Sequence, residues 1–231
     1  MTSGAERIAV VVPTWREAST IVGCLDDLSG QGFDEVLVAD AGSPDGTADL
    51  ARSRGARVVD APRGRGAQQN AGARATASGV LLFLHADCRL EPGAISALRR
   101  ALRRHPKAPA GCLRMRVDDP DRRFRLIDGA AHLRAGVLGV PYGDQAIWVR
   151  RWAFEAVGGF PETRLMEDVL ISLQLRRLGR ILIVPARVEV SSRRWKQQGL
   201  LRQSSRNWGL TLLATLGVPP DRLAIFYPAV R

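Results

Sequence analysis

The chain has 231 residues, 45% hydrophobic and 25% charged, the balance of a globular domain long enough to bury a substantial core. Its net charge of +11 is carried almost wholly by arginine, since only Lys107 and Lys196 among 34 basic residues are lysine. No stretch is apolar enough to span a bilayer, Cys24, Cys88 and Cys112 form no CxxC pair, and the first residues lack a signal-peptide layout; a reducing, cytoplasmic setting is expected.

In chain order, Arg7 to Val12 reads as a buried strand that Pro13 closes, because proline cannot donate to a ladder. The loop Pro13-Thr14-Trp15-Arg16-Glu17 leads into a helix with Ile21, Leu25 and Leu28 on one face, stopped by Gly30 and Gly32. Glu35 to Asp40 is a second strand, followed by the turn-rich Ala41 to Thr47, a helix from Ala48 to Arg54, and a short strand from Ala56 to Asp60. The loop Pro62 to Gly66 opens a helix from Ala67 to Ser78. Val80-Leu81-Leu82-Phe83-Leu84 is then a continuous apolar run, the pattern of a strand covered on both faces. Strict alternation with short connections predicts right-handed crossovers and a parallel sheet.

The second half is less regular. Ala94 to Arg104 is a helix, and the period-two run Gly111 to Val117 predicts a half-exposed antiparallel strand. Arg122 to Leu138 reads as helical, Gln145 to Val149 as a strand, and Arg151 to Val157 as a short helix. Val169 to Leu178 is a helix ended by Gly179, and Ile181–Val184 and Arg187–Val190 are two short strands around Pro185. From Gly199 two amphipathic helices follow, broken at Gly217-Val218-Pro219-Pro220. The expected fold is α/β, a mostly parallel Rossmann-like sheet flanked by helices; residues 1–195 form the domain and residues 196–231 a helical extension packed on it.

Two of the strands end in a carboxylate, Asp40 and Asp87, on the edge where open α/β sheets bind ligands. Asp87 suits a metal or phosphate site, or caps its turn. From Val190 onward seven basic residues face only Asp221, a patch for an anionic partner or a solvated face. No zinc finger or RNA-binding aromatic motif accompanies it, so nucleic acid is not expected.

Four motifs in order, Pro13-Thr14-Trp15-Arg16-Glu17, Asp40-Ala41-Gly42-Ser43-Pro44-Asp45-Gly46-Thr47, His85-Ala86-Asp87 and Glu167-Asp168, resemble those of the family 2 inverting glycosyltransferases of the GT-A fold. Gly64-Arg65-Gly66 with Asn70 and Gly72 is similar to a further helix-start motif of that family, and the likeness covers roughly residues 7 to 195. Arg193-Arg194-Trp195 and Gly217 to Tyr227 resemble a small bacterial branch, sometimes linked to radical-SAM selenodomain proteins.

The resemblance implies transfer of a sugar from a UDP- or GDP-sugar to an acceptor hydroxyl by metal-assisted single displacement. Pro13, Thr14, Glu17, Asp40, Arg65 and Asn70 would hold the nucleotide. Taken as residues, Glu17 also suits the first turn of a helix, Asp45 the closing of its turn, Arg65 solvent, and Asn70 the packing of a helix start. Asp87 would hold Mn²⁺ or Mg²⁺ with phosphate oxygens. His85 replaces the first acid of the family's DxD, and imidazole suits Mn²⁺ better; it ligates metal, bonds the ribose or simply ends the strand. Asp168 would be the general base, at a helix start where it also suits a cap. Glu167 and Asp144, with Tyr142, Gly143 and Gln145, would line the acceptor side, and Arg193, Arg194 and Trp195 would close over the diphosphate. Gln203 to Trp208 is near the QxxRW of processive synthases but carries an extra Asn207.

The acceptor is open between lipid, small metabolite and peptide, and the basic C-terminal region suggests peripheral contact with the inner face of a membrane. Two other readings fit less well. A nucleotidyltransferase would open with a glycine-rich loop where Pro13 to Glu17 stands, and a non-catalytic nucleotide-sugar-binding protein has no need of Asp87 and Asp168 together.

Overall fold

The computed structural model describes residues 6–219 together with Arg222 and Leu223. Its centre is one eight-stranded sheet, in the order β3-β2-β1-β4-β7-β6-β8-β5. The strands are β1 (Ile8–Thr14), β2 (Glu35–Asp40), β3 (Arg57–Asp60), β4 (Val80–Phe83), β5 (Cys88–Leu90), β6 (Ala110–Asp118), β7 (Ile147–Arg150) and β8 (Leu182–Ser191). The helices are α1 (Ile21–Leu28), α2 (Thr47–Ser53), α3 (Arg65–Arg74), α4 (Ala94–Arg104), α5 (Arg123–Leu133), α6 (Arg151–Ala156), α7 (Glu167–Leu178), α8 (Arg193–Gln198) and α9 (Leu200–Thr215).

The first half has the expected parallel pairing, β1 with β2 and β4, and β2 with β3. Pro13 does not close β1, because the strand runs through it to Thr14. Pro13 lies beyond Val11, the last residue that β4 pairs, so one side of β1 is free where the N–H is missing. α3 spans Arg65–Arg74 and not Ala67 to Ser78. Continuous apolar runs form these strands because helices cover both faces. Ile8, Val10, Val12 and Leu82 point into one buried cluster, and Ala9, Val11, Leu81 and Phe83 into the other. α3 lies flush on β1, since a methyl group on Gly72 would be driven into Val11. This close approach brings the start of α3 to the carboxyl ends of β1 and β2.

The second half departs from expectation in instructive ways. β6 runs antiparallel to β7 only at Ala110 and Gly111, and parallel to β8 from Gly111 to Asp118. Its period-two pattern reports one covered face, which says nothing about partner direction. The two strands expected around Pro185 are one strand, β8, whose register against β6 slips between Leu113 and Arg114. Pro185 and Ala186 fall in that slip, where a missing N–H costs the ladder nothing. β5, three residues on the sheet edge, is too short to show alternation and was not foreseen. The helix expected over Arg122 to Leu138 is α5 continued by a π-helical turn, Arg134–Leu138. α8 occupies the segment expected to close as a loop. The second C-terminal helix falls largely outside the described residues. α9 packs Leu210 and Ala214 against Val140, Met166 and Val169. Among the described residues no helix is long and apolar enough to cross a membrane.

Candidate functional site

The site lies along the carboxyl ends of β1, β2 and β4, closed by the starts of α3 and α7 and by a 3-10 turn, Gly143–Gln145, ahead of β7. Register places Thr14 beside Asp40 and half-buried Pro13 beside Ala39. The Asp40 carboxylate, buried, accepts the Thr14 hydroxyl at 2.8 Å and the amide and hydroxyl of Ser43 at 2.8 and 2.6 Å. The β1–α1 and β2–α2 loops are laced together: Arg16 N–H donates to Ser43 Oγ, Glu17 N–H to Thr47 Oγ1, and Ala18 N–H to Asp45 Oδ2. The Thr47 hydroxyl holds the Asp45 carboxyl below its ordinary value. Asp45 therefore closes the turn, the local role expected of it. Glu17 accepts the Thr20 hydroxyl at 2.8 Å while its carbonyl takes the N–H groups of Thr20 and Ile21, so it also organises the start of α1.

α3 supplies three polar residues. Gln68, not picked out from the sequence, donates to the carbonyls of Thr14 and Ala39 at 2.6 and 3.1 Å and ties the ends of β1 and β2 to the helix. Asn70 pairs its amide with Phe160 at both ends, donating to the carbonyl and accepting the N–H at 2.9 Å each. Its placement is that of the helix-packing alternative. Arg65, the first residue of α3, meets Glu167, the first of α7, at 3.1 Å. Arg65 is half-exposed, whereas the Glu167 side chain is 4% exposed. Burial pushes the Glu167 carboxyl above its usual range, against the pull of Arg65. The fields of Asp168 and Asp87 also reach Arg65, so one guanidinium serves both acidic motifs.

Beyond β4, His85, exposed Asp87 and buried Cys88 offer ligand atoms within 4.8 Å of one another. The Cys88 thiol is pushed well up, by burial first and then by the charge of Asp87, which leaves imidazole and carboxylate as the effective donors. A hard oxygen beside a borderline nitrogen fits a divalent ion of the Mn²⁺ type.

The Glu167-Asp168 motif meets this corner at Gly143. Gly143 N–H donates to Asp168 Oδ2 at 2.7 Å, and Val169 N–H to Asp168 Oδ1 at 2.8 Å. A Cβ on Gly143 would stand 2.7 Å from His85 Nε2 and 3.5 Å from Asp168 Oδ2. The imidazole and the Asp168 carboxylate thus flank the same bare α-carbon. The turn is braced from below by buried Arg134, which donates to Gln145 Oε1 at 2.7 Å and to the Val140 carbonyl at 2.9 Å and lies 3.2 Å over the Tyr142 ring. Half-buried Asp144 sits in that turn. Tyr142 in turn bonds Thr211 and the Asn207 carbonyl of α9. Three non-glycine residues with positive φ, Arg16, Ala146 and Met166, all lie in these loops, where such strain is held by surrounding contacts.

Trp195 packs edge-on against Phe124 of α5, and Lys196 pairs with Asp119 at 2.5 Å, so α8 rests on the β6–α5 side; exposed Arg193 precedes them, and the Arg194 side chain lies outside the described set. Gln68, Arg134 and Gly143 are the site residues that sequence reasoning missed or gave no physical role, although Gln68 lies inside the Gly64 to Gly72 motif and Gly143 inside the Tyr142 to Gln145 stretch. Gln68 and Arg134 act across 54 and 11 residues, through contacts that no spacing rule encodes.

Comparison with known proteins follows this geometry. The family described as Glycosyl transferase family 2 matches residues 9–160. Glycosyltransferase AglE of Haloferax volcanii is 33% identical over 99 residues, 38% of this chain and 33% of its own length. Among solved structures, glucosyl-3-phosphoglycerate synthase from Mycobacterium tuberculosis, in complex with Mn²⁺, UDP and glucosyl-3-phosphoglycerate, superposes with a TM-score of 0.65 at 23% identity, covering 93% of this chain and 81% of that one. A mannosyltransferase from Pyrobaculum calidifontis with GDP-mannose and Mn²⁺ gives 0.64 at 20% identity, covering 99% and 67%. These two likenesses describe the fold.

Proposed function

The chain belongs to glycosyl transferase family 2, with the GT-A fold, and from that premise we propose that it moves a sugar from a UDP- or GDP-sugar to an acceptor hydroxyl with inversion. The observation that carries this reading is the convergence at Gly143 of His85 from the strand-end acid motif and Asp168 from the helix-start motif. Inversion by single displacement needs a base on the acceptor side, and Asp168 is a carboxylate fixed by two backbone N–H groups at the start of α7. Asp40, Thr14, Pro13 and Glu17 form a polar ledge for the base and ribose. Arg65 is the cation available to the diphosphate, and Glu167 holds it in place. Asn70 acts through the loop at Phe160.

Asp87 with His85 would hold a divalent ion, Mn²⁺ or Mg²⁺, which supplies charge stabilisation for the departing diphosphate. Asp144 and Tyr142 face the acceptor, whose hydroxyl belongs to a lipid, a small metabolite or a peptide. Gln145 is fully buried, its amide held by Arg134, Tyr142 N–H and Cys112, and only braces the turn. Arg193 and Arg194 add positive charge on the segment after β8.

The test is thermal stabilisation by UDP, GDP and dTDP, each with and without Mn²⁺ or Mg²⁺, for wild type and Asp87→Ala. A nucleotide at about 100 times its dissociation constant adds roughly 2.7 kcal/mol. The expected result is a metal-dependent shift with one nucleotide that Asp87→Ala abolishes. Asp168→Asn should keep that shift and lose about 10²–10⁴ in transfer rate. Unaltered turnover in Asp168→Asn, or no shift with any pair, removes the assignment.

A further inference from the structure

Ten large hydrophobic side chains stand out as exposed among the described residues; seven of them lie on α5, its π-helical continuation and α9, and an eighth, Leu216, caps α9. Leu126, Leu133 and Val137 form one row; Trp208, Leu212 and Leu216 form another. Buried Arg134 of the π-helical turn links the two elements, its guanidinium 3.2 Å from the Tyr142 ring and 6.0 Å from the Trp208 ring of α9. Single exposed leucines are ordinary, but a concentration of this kind marks an interaction surface.

Beside the α5 row is a cleft of about 270 Å³ lined by Arg114 and Arg116 of β6, Arg187 of β8, and His132 and Asp128 of α5. Among the described residues none of the three arginines makes an ion pair or a side-chain hydrogen bond. Asp128 is engaged by Arg125 at 2.7 Å and by Val117 N–H at 2.9 Å. Glu189, opposite Arg116 in the ladder, stays beyond ion-pair distance. The sequence from Gly129 to Gly143 and from Val190 to Pro220 contains no acidic residue.

We propose that the face formed by α5, its π-helical turn and α9, with the Arg114–Arg116–Arg187 cleft at its margin, docks on an anionic lipid bilayer. An apolar row beside unpaired arginines is the layout of an interfacial surface, with leucine and tryptophan below the headgroups and guanidinium groups among the phosphates. A second copy of the chain is a poorer occupant, because a two-fold contact across this face would crowd uncompensated positive charge. The face joins the candidate site through Tyr142, which bonds α9 and precedes the glycine that holds Asp168. The inference does not rest on sugar transfer, since docking is read without donor or acceptor.

The experiment is flotation of the whole chain with vesicles of phosphatidylcholine, alone or with phosphatidylglycerol, with light scattering in parallel. Wild type should float with the anionic vesicles and not the neutral ones, and should be released by high salt. Arg114→Ser and Arg187→Ser should each weaken binding about fivefold. Val137→Glu with Leu212→Glu should weaken it at least about tenfold while melting like wild type. If that double variant fails to fold, the arginine variants and the salt response decide. Wild type that stays unbound, variants that float like wild type, or a dimer that Val137→Glu with Leu212→Glu dissociates would each overturn the proposal.

Discussion

Gly143 has no side chain, and the site depends on that. Its φ is not in the left-handed region, so the backbone tolerates alanine and the effect of substitution is one of space alone. Gly143→Ala must displace the His85 ring, whose Nε2 would stand 2.7 Å from the new Cβ, while Asp168 stays at ordinary contact distance. Misplacement by about 1 Å costs on the order of 10² in rate. Steady-state kinetics should show that loss in kcat, with little change in the melting temperature of the unliganded protein. Arg65 and Glu167 give a second prediction. Arg65→Ala leaves a buried carboxylate without its cation and should cost about 1–3 kcal/mol at neutral pH, discounted because Arg65 is half-exposed. The sign follows from burial. Glu167 has a raised folded-state pKa, so its contribution is fully favourable below the unfolded value of 4.5 and is lost as pH rises through the folded one. The deficit of Arg65→Ala should therefore shrink on acidification, and calorimetry across the acid range reads it. Asp40, Asp87 and Asp168 could be singled out in the chain because they stand at strand and helix ends within stretches that resemble a family's motifs. Arg134 was not, because it supports the Gly143 turn through neutral acceptors and an aromatic face, a pattern with no charge partner to search for.

At the scale of elements, alternation in the first half made the order and direction of β1 to β4 and their helices readable, though β1 runs on through Pro13 and α3 ends four residues early. β1, β2 and β4 are buried through most of their length, β3 at the sheet edge is partly exposed, and each connection is short. The second half obscured its strand directions because burial pattern reports cover and not pairing, and it obscured β5 because three residues carry no period. The turn from Tyr142 to Gln145 is where elements from both ends of the second half meet. Tyr142 stands between Arg134 and α9, and its hydroxyl serves Thr211 and Asn207. Tyr142→Phe should cost about 1 kcal/mol of global stability. The loss should be concentrated in α9, so amide hydrogen exchange should rise there while the β1–β4 core stays protected.

For the whole molecule, the α/β architecture and the family were legible before any coordinates, since five short motifs recur in order along an alternating chain and the family match spans residues 9–160. What remained hidden was the surface. The charge of +11 is spread through the sequence, and only folding sets Arg114, Arg116 and Arg187 around one cleft beside the apolar rows. The edge strand β5 has a consequence for how the chain is made. Among the described residues its only ladder is with β8, where Cys88 meets Val190, and β6 likewise finds most of its pairing there. On the ribosome β1 to β4 can pair as they emerge, whereas β5 and β6 wait with open edges until Leu182–Ser191 has been synthesised. The corner from His85 to Cys88 is thus among the last parts of the protein to be fixed. During that interval the nascent chain offers an unpaired edge to its neighbours, so yield in the cell is governed by chaperone capture as well as by the stability of the finished sheet.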